Sequence, residues 1–110
     1  MSQLEIAKNI IAVYVRHGWN LQRALLTESS RAQMANQGGA VLGSAVVVES
    51  DFDALWFARP SHEQREAWEL RLISEQAYAL FEAFEADEEE AEREEMRQEM
   101  ENKMRVYSRR

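Results

Sequence analysis

Two stretches of this chain, residues 52–59 and 77–85, carry bulky apolar side chains on both alternating faces, and no other feature limits the fold as much. In the first, Phe52, Ala54, Trp56 and Ala58 share one parity, and Leu55 and Phe57 share the other. In the second, Tyr78, Leu80 and Phe84 fall on one side and Phe81 on the other. Successive side chains of a strand point to opposite faces. A sheet with one wet face therefore reads apolar, polar, apolar. These two strands break that rule, so both faces of the sheet they build need cover.

Two amphipathic segments are available as cover. Near the N-terminus, Ser2 and Glu5 have the spacing of a capping box, in which each side chain satisfies a free backbone N–H. Ile6, Ile10, Val13 and Tyr14 follow at helical spacing, and Gly18 after His17 suits a left-handed helix end. At the other end, Asp87 reads as an N-cap and Glu88, Glu89 and Glu90 as a first turn that favours negative charge. Met96, Met100, Met104 and Tyr107 then recur at steps of four, four and three, a narrow methionine-rich stripe. Glu99 with Lys103 and Glu101 with Arg105 are spaced for ion pairs along that helix.

Between the helices the reading is mostly strand. Residues 19–27 place Trp19, Leu21 and Leu25 on one parity, and residues 45–48 are β-branched. Residues 28–37 are polar, with room for one or two helical turns before Gly38-Gly39. Pro60 ends the strand over 52–59, and Ser61 with Gln64 has the form of a second capping box. In residues 67–73, Trp68, Leu70 and Leu72 alternate with Glu69 and Arg71, which is strand period. Helix propensity favours a helix over 61–73 instead, and the alternation is given precedence. The expectation is an α+β fold: an N-terminal helix, an antiparallel sheet of three to five strands forming a meander, and a long charged C-terminal helix. Residues 1–86 form the α+β core, and 87–110 form a helix that belongs to it or to an oligomer interface.

Composition enters where function is concerned. The 110 residues include no cysteine, which excludes disulfides, thiolate catalysis and thiolate-bound zinc. No apolar run is long enough to cross a membrane. A cytoplasmic protein with no membrane partner is expected. Twenty acidic against 13 basic side chains give a net charge of −7, which argues against nucleic acid as a partner. Lys103, Arg105, Arg109 and Arg110 cluster, but cations near a helix C-terminus are favoured by its dipole.

No catalytic, cofactor-binding or metal-binding residue is assigned. Glu49, Asp51 and Asp53 alternate and offer oxygen ligands for a divalent cation, yet solvated charge at a strand edge explains them as well. His62 lies between Ser61 and Glu63, and sequence neighbours do not face each other; His17 fits a helix end. The leading functional expectation is a small non-enzymatic protein that acts through protein–protein contacts, most simply as a homodimer. Its interface residues would be Phe57, Phe81, Met96, Met100, Met104 and Tyr107, the uncovered parity and the methionine stripe. That argument holds if both helices cover one sheet face. It fails if they take opposite faces, or if residues 40–48 fold over the sheet. The alternatives are a small enzyme or metal-binding domain built on Glu49, Asp51, Asp53 or His62, and an acidic inhibitor or nucleic-acid mimic.

Overall fold

The chain folds into helix α1 (Gln3–Arg16), strand β1 (Asn20–Leu26), helices α2 (Glu28–Gln37) and α3 (Gly39–Leu42), strands β2 (Val46–Glu49), β3 (Ala54–Pro60), β4 (Glu66–Leu72) and β5 (Ala79–Phe84), and helix α4 (Glu90–Ser108). These assignments come from a computed structural model that describes residues 2–37 and 39–109. One five-stranded sheet has the order β2-β1-β3-β4-β5. Strands β3, β4 and β5 form the expected antiparallel meander, and β4 settles residues 67–72 as strand. The sheet is mixed rather than wholly antiparallel, because β1 and β2 run parallel. A parallel pair needs a crossover, and α2 with α3 supplies it. Residues 28–37 thus form a full helix where only one or two turns were expected.

The two helical layers take opposite faces of the sheet. On one side Leu4, Ile6, Ala7 and Ile10 of α1 and Met34 of α2 pack on Ala24, Leu26, Leu55, Phe57 and Ala67. On the other, Met100 and Met104 of α4 pack on Leu25, Ala54, Trp56, Trp68, Leu70 and Phe84. Central strand β3 is buried on both sides from Ala54 to Ala58. Phe57, expected on an uncovered face, is fully buried and stacks on Tyr14 of α1 at 4.1 Å between centroids. This is the opposite-face arrangement, and it covers both faces of β3 within one chain, whereas on β5 Phe84 is buried and Phe81 stays exposed.

At the start of α1 the Ser2 half of the expected capping box forms, and the end forms as its sequence indicates. Ser2 Oγ accepts the Glu5 N–H at 3.2 Å. At the other end the Gly18 N–H bonds to Val15 O and the Trp19 N–H to Tyr14 O, both at 3.0 Å. That is the Schellman pattern, with Gly18 in the left-handed region at φ 86°. Trp19 folds back edge-on against Tyr14 to complete it. Val13 departs from the expected helix face and is exposed. The β3–β4 turn also differs from expectation. Ser61 makes no side-chain cap, and Glu63 and Gln64 both adopt positive φ around a single 3₁₀ turn. Of the Gly38-Gly39 pair, Gly38 lies outside the described residues, and Gly39 opens α3.

Helix α4 begins two residues later than expected, with Glu89 rather than Asp87 at the N-cap. Its methionine stripe faces the chain's own sheet: Met104 and Met100 are buried and Met96 is half-buried. Tyr107 stacks on Tyr78, 3.5 Å between centroids and 3° from parallel. Glu101 and Arg105 do not pair with each other. Glu101 accepts the Trp56 Nε1–H at 2.9 Å, and Arg105 reaches Asp51. Replacing Met104 with Ala should cost about 2–5 kcal/mol, the usual range for emptying a closed core site. Met100→Asp should cost at least as much, because a carboxylate would lose its hydration. Urea denaturation checks both; a wild-type midpoint for either variant would mean that α4 is not packed as described.

Candidate functional site

Each sequence-derived candidate has a defined place in the structure. Asp53 sits at the start of β3, where three segments meet. Its Oδ1 accepts the Thr27 N–H at 2.8 Å, and its Oδ2 accepts Ser30 Oγ–H at 2.6 Å and Gln3 Nε2–H at 2.9 Å. It ties the starts of α1 and α2 to the sheet. Asp51 instead turns toward α4, accepting from Arg105 Nε at 2.9 Å and Arg109 Nη2 at 2.5 Å. The Arg105 hydrogen bond holds the Asp51 carboxyl below its ordinary value. Glu49 ends β2, exposed. Asp51 and Asp53 therefore bind different elements, although both line one hollow with Thr27, Ser74 and Arg109, while Glu49 stands apart without a partner among the described residues. Among the described residues no group of three or more histidines and carboxylates could hold a metal ion.

Among the described residues neither histidine is hydrogen-bonded to a serine, threonine or tyrosine hydroxyl, although His17 lines a hollow with Tyr14 and Glu69. His17 is exposed at the end of α1, with Nδ1 2.8 Å from Val13 O. His62 is exposed in the β3–β4 turn. The C-terminal basic cluster is drawn into the fold: Arg105 and Arg109 both pair with Asp51, while Arg110 lies outside the described residues.

Sequence reasoning did not find the two polar centres of the molecule. The first lies between α4 and the sheet. Arg97 is 2% exposed, with its guanidinium 3.9 Å above the Trp68 ring. Its Nη1 donates to Glu90 at 2.7 Å and to Glu94 at 2.9 Å. Glu94 also receives both terminal nitrogens of Arg23 from β1. The Arg23 hydrogen bonds are the main reason that the Glu94 carboxyl is pulled down to about 2. In the second centre, Tyr14 donates a short hydrogen bond to Glu69 on the α1 side. Burial, followed by that bond, pushes the Tyr14 hydroxyl well above its ordinary value. The Tyr14–Glu69 pair borders an open hollow that Val13, His17 and Trp19 also line. Both read as internal polar clamps.

Apart from Val13 and Val15 of α1 and Val106 of α4, the exposed large apolar side chains among the described residues lie on the two edge strands. Val46, Val47 and Val48 of β2 are 61%, 43% and 38% exposed. Phe81 of β5 is 58% exposed beside Trp19, the one expected interface residue that stands clear of the chain. Strand β2 pairs with β1 along one side and, among the described residues, with no strand along its other. Beside it lies an apolar hollow of about 400 Å³, lined by Leu26, Met34, Leu42, Ala45 and Val47, with Arg31 at its rim. No family model matches the chain, and no curated protein or solved structure matches it either.

The Glu94 clamp makes a pH prediction. Its folded value lies below that of a free carboxylate, so its stabilisation is present above the free value and is lost as pH falls toward about 2. Glu94→Gln should be less stable than wild type at neutral pH, and should lose less stability on acidification across that interval. Urea midpoints measured over the acid range for both proteins test this; parallel curves would show that the clamp carries no linkage.

Proposed function

We propose that the protein is a non-enzymatic module that acts through protein–protein contact and associates with itself through the free edge of β2. The observation that carries this reading is the bare edge itself. Three consecutive exposed valines on an uncovered strand form a template for another strand. Natural sheets usually blunt such an edge with lysine, proline or an inward charge, and residues 46–48 contain none of these. The methionine stripe, by contrast, is spent inside the chain and supports no partner. Closure favours β2 meeting β2. An isologous two-fold contact ends with two copies, whereas β2 meeting β5 would propagate without closing.

Asp51 and Asp53 share a hollow but are engaged by Arg105, Arg109 and the helix starts, and among the described residues no third ligand joins them, so the metal-enzyme alternative gains no support. Arg23, Arg65, Arg93, Arg97 and Arg105 pair with Glu94, Glu85, Glu66, Glu90 and Asp51 and interrupt the acidic surface, which weakens the case for a nucleic-acid mimic. A cysteine-free chain suits a reducing compartment, and the cytoplasm is proposed as its location. No helix is long and apolar enough to cross a membrane among the described residues.

Val47→Pro is the direct test. The Ser50 N–H bonds to Leu26 O at 2.9 Å, so groups of that parity face β1 and those of Val47 face outward. Proline there removes only the outward donor, as edge strands tolerate. Sedimentation equilibrium of wild type should show mass rising from one chain to two through the micromolar range. The variant should keep its fold by circular dichroism and stay a single chain. A wild type that is one chain at every concentration, or a variant that pairs as wild type does, would overturn the reading.

A further inference from the structure

Resting on self-association through β2, we propose that the second copy completes the hollow beside that strand, placing its Glu49 carboxylate on Arg31. Arg31 lines the hollow together with Ala45 and Val47. Among the described residues no ion pair or side-chain hydrogen bond engages it, and none engages Glu49 either. A chain of net charge −7 thus keeps a free cation at the mouth of an apolar hollow and a free carboxylate on the adjacent strand.

The ladder geometry brings the two together. Val46 and Val48 share parity with Ser50, whose N–H faces β1, so the peptide groups of Val47 and Glu49 face outward. Antiparallel strands exchange both bonds between directly opposed residues. The pairing that uses all the outward groups sets Val47 opposite Glu49 of the partner, and Glu49 opposite the partner's Val47. The two-fold axis then passes beside Val48. Side chains of opposed residues share a face. Val47 and Glu49 pair with Ala24 and Leu26, whose side chains pack in the α1–α2 layer. The incoming carboxylate therefore lies on the α2 side, next to Val47 and the hollow that Arg31 borders. In this register no carboxylate faces another directly, since Asp51 would stand opposite Ala45. A register one residue away would turn the outward peptide groups out of phase and put the carboxylate on the α4 side.

Reversal of charge tests the pairing. Arg31→Glu and Glu49→Arg should each weaken association by about tenfold, because each juxtaposes like charges in the contact. The double variant Arg31→Glu/Glu49→Arg should recover to within about threefold of wild type. Sedimentation equilibrium reads all four proteins, with thermal melts confirming that each is folded. A dimeric wild type whose double variant stays as weak as the singles would refute the Arg31–Glu49 pairing and leave edge association standing. A dimer indifferent to both single changes would refute it too. A wild type that never dimerises would remove both.

Discussion

Burial of β3 on both faces is the constraint on which the rest of the molecule depends. Five successive residues, Ala54 to Ala58, have no substantial contact with water. Such a strand is stable only with a strand on each side and a layer on each face. Strands β1 and β4 supply the first, and α1 with α2 and α4 supply the second. The parallel placement of β2 follows from the same demand. The crossover that takes the chain from β1 to β2 lays α2 over the α1 face and adds Met34 and Leu42 to its core.

The harder problem is how so polar a helix as α4 docks onto an apolar face. Its methionine stripe is one residue wide, too narrow to cover Trp56, Trp68, Phe84 and Phe52 alone. Arginines widen it. Arg97 lies over Trp68, Arg93 over Phe84 at 5.7 Å, and Arg105 over Phe52 at 5.2 Å. Each covers an aromatic ring while its charge is met by a carboxylate: Glu90 and Glu94, Glu66, and Asp51 respectively. An arginine's flat guanidinium and apolar stem let it serve as cover and as counter-ion at once. The Nε atoms of Arg93 and Arg97 are buried without partners, so part of that gain is offset by desolvation.

Engaging so many charges internally leaves a sparse functional surface. Asp53 is occupied by Thr27, Ser30 and Gln3, and Asp51 by Arg105 and Arg109. Exposed apolar side chains lie at the sheet's ends, at β2 and Phe81, and singly on the helices at Val13, Val15 and Val106.

Much of the architecture is legible in the residues alone, wherever a local pattern and a local cause coincide. The Ser2 cap, the Gly18 turn, the alternation of Trp68, Leu70 and Leu72, and the stripe from Met96 to Tyr107 all depend on spacing along one element. The need for cover on both sheet faces was legible as well in the two-sided run around Trp56, whereas the same reading at Phe81 did not hold within the chain. Tertiary structure alone decided which helix took which face, and so whether Phe57 met Tyr14 or a partner. It decided that Glu101 would leave Arg105 for Trp56, and that Arg97 would be buried. Periodicity reports which residues share a face but not what lies opposite. Charged side chains choose partners by distance in space, and those distances exist only once the layers have been assembled.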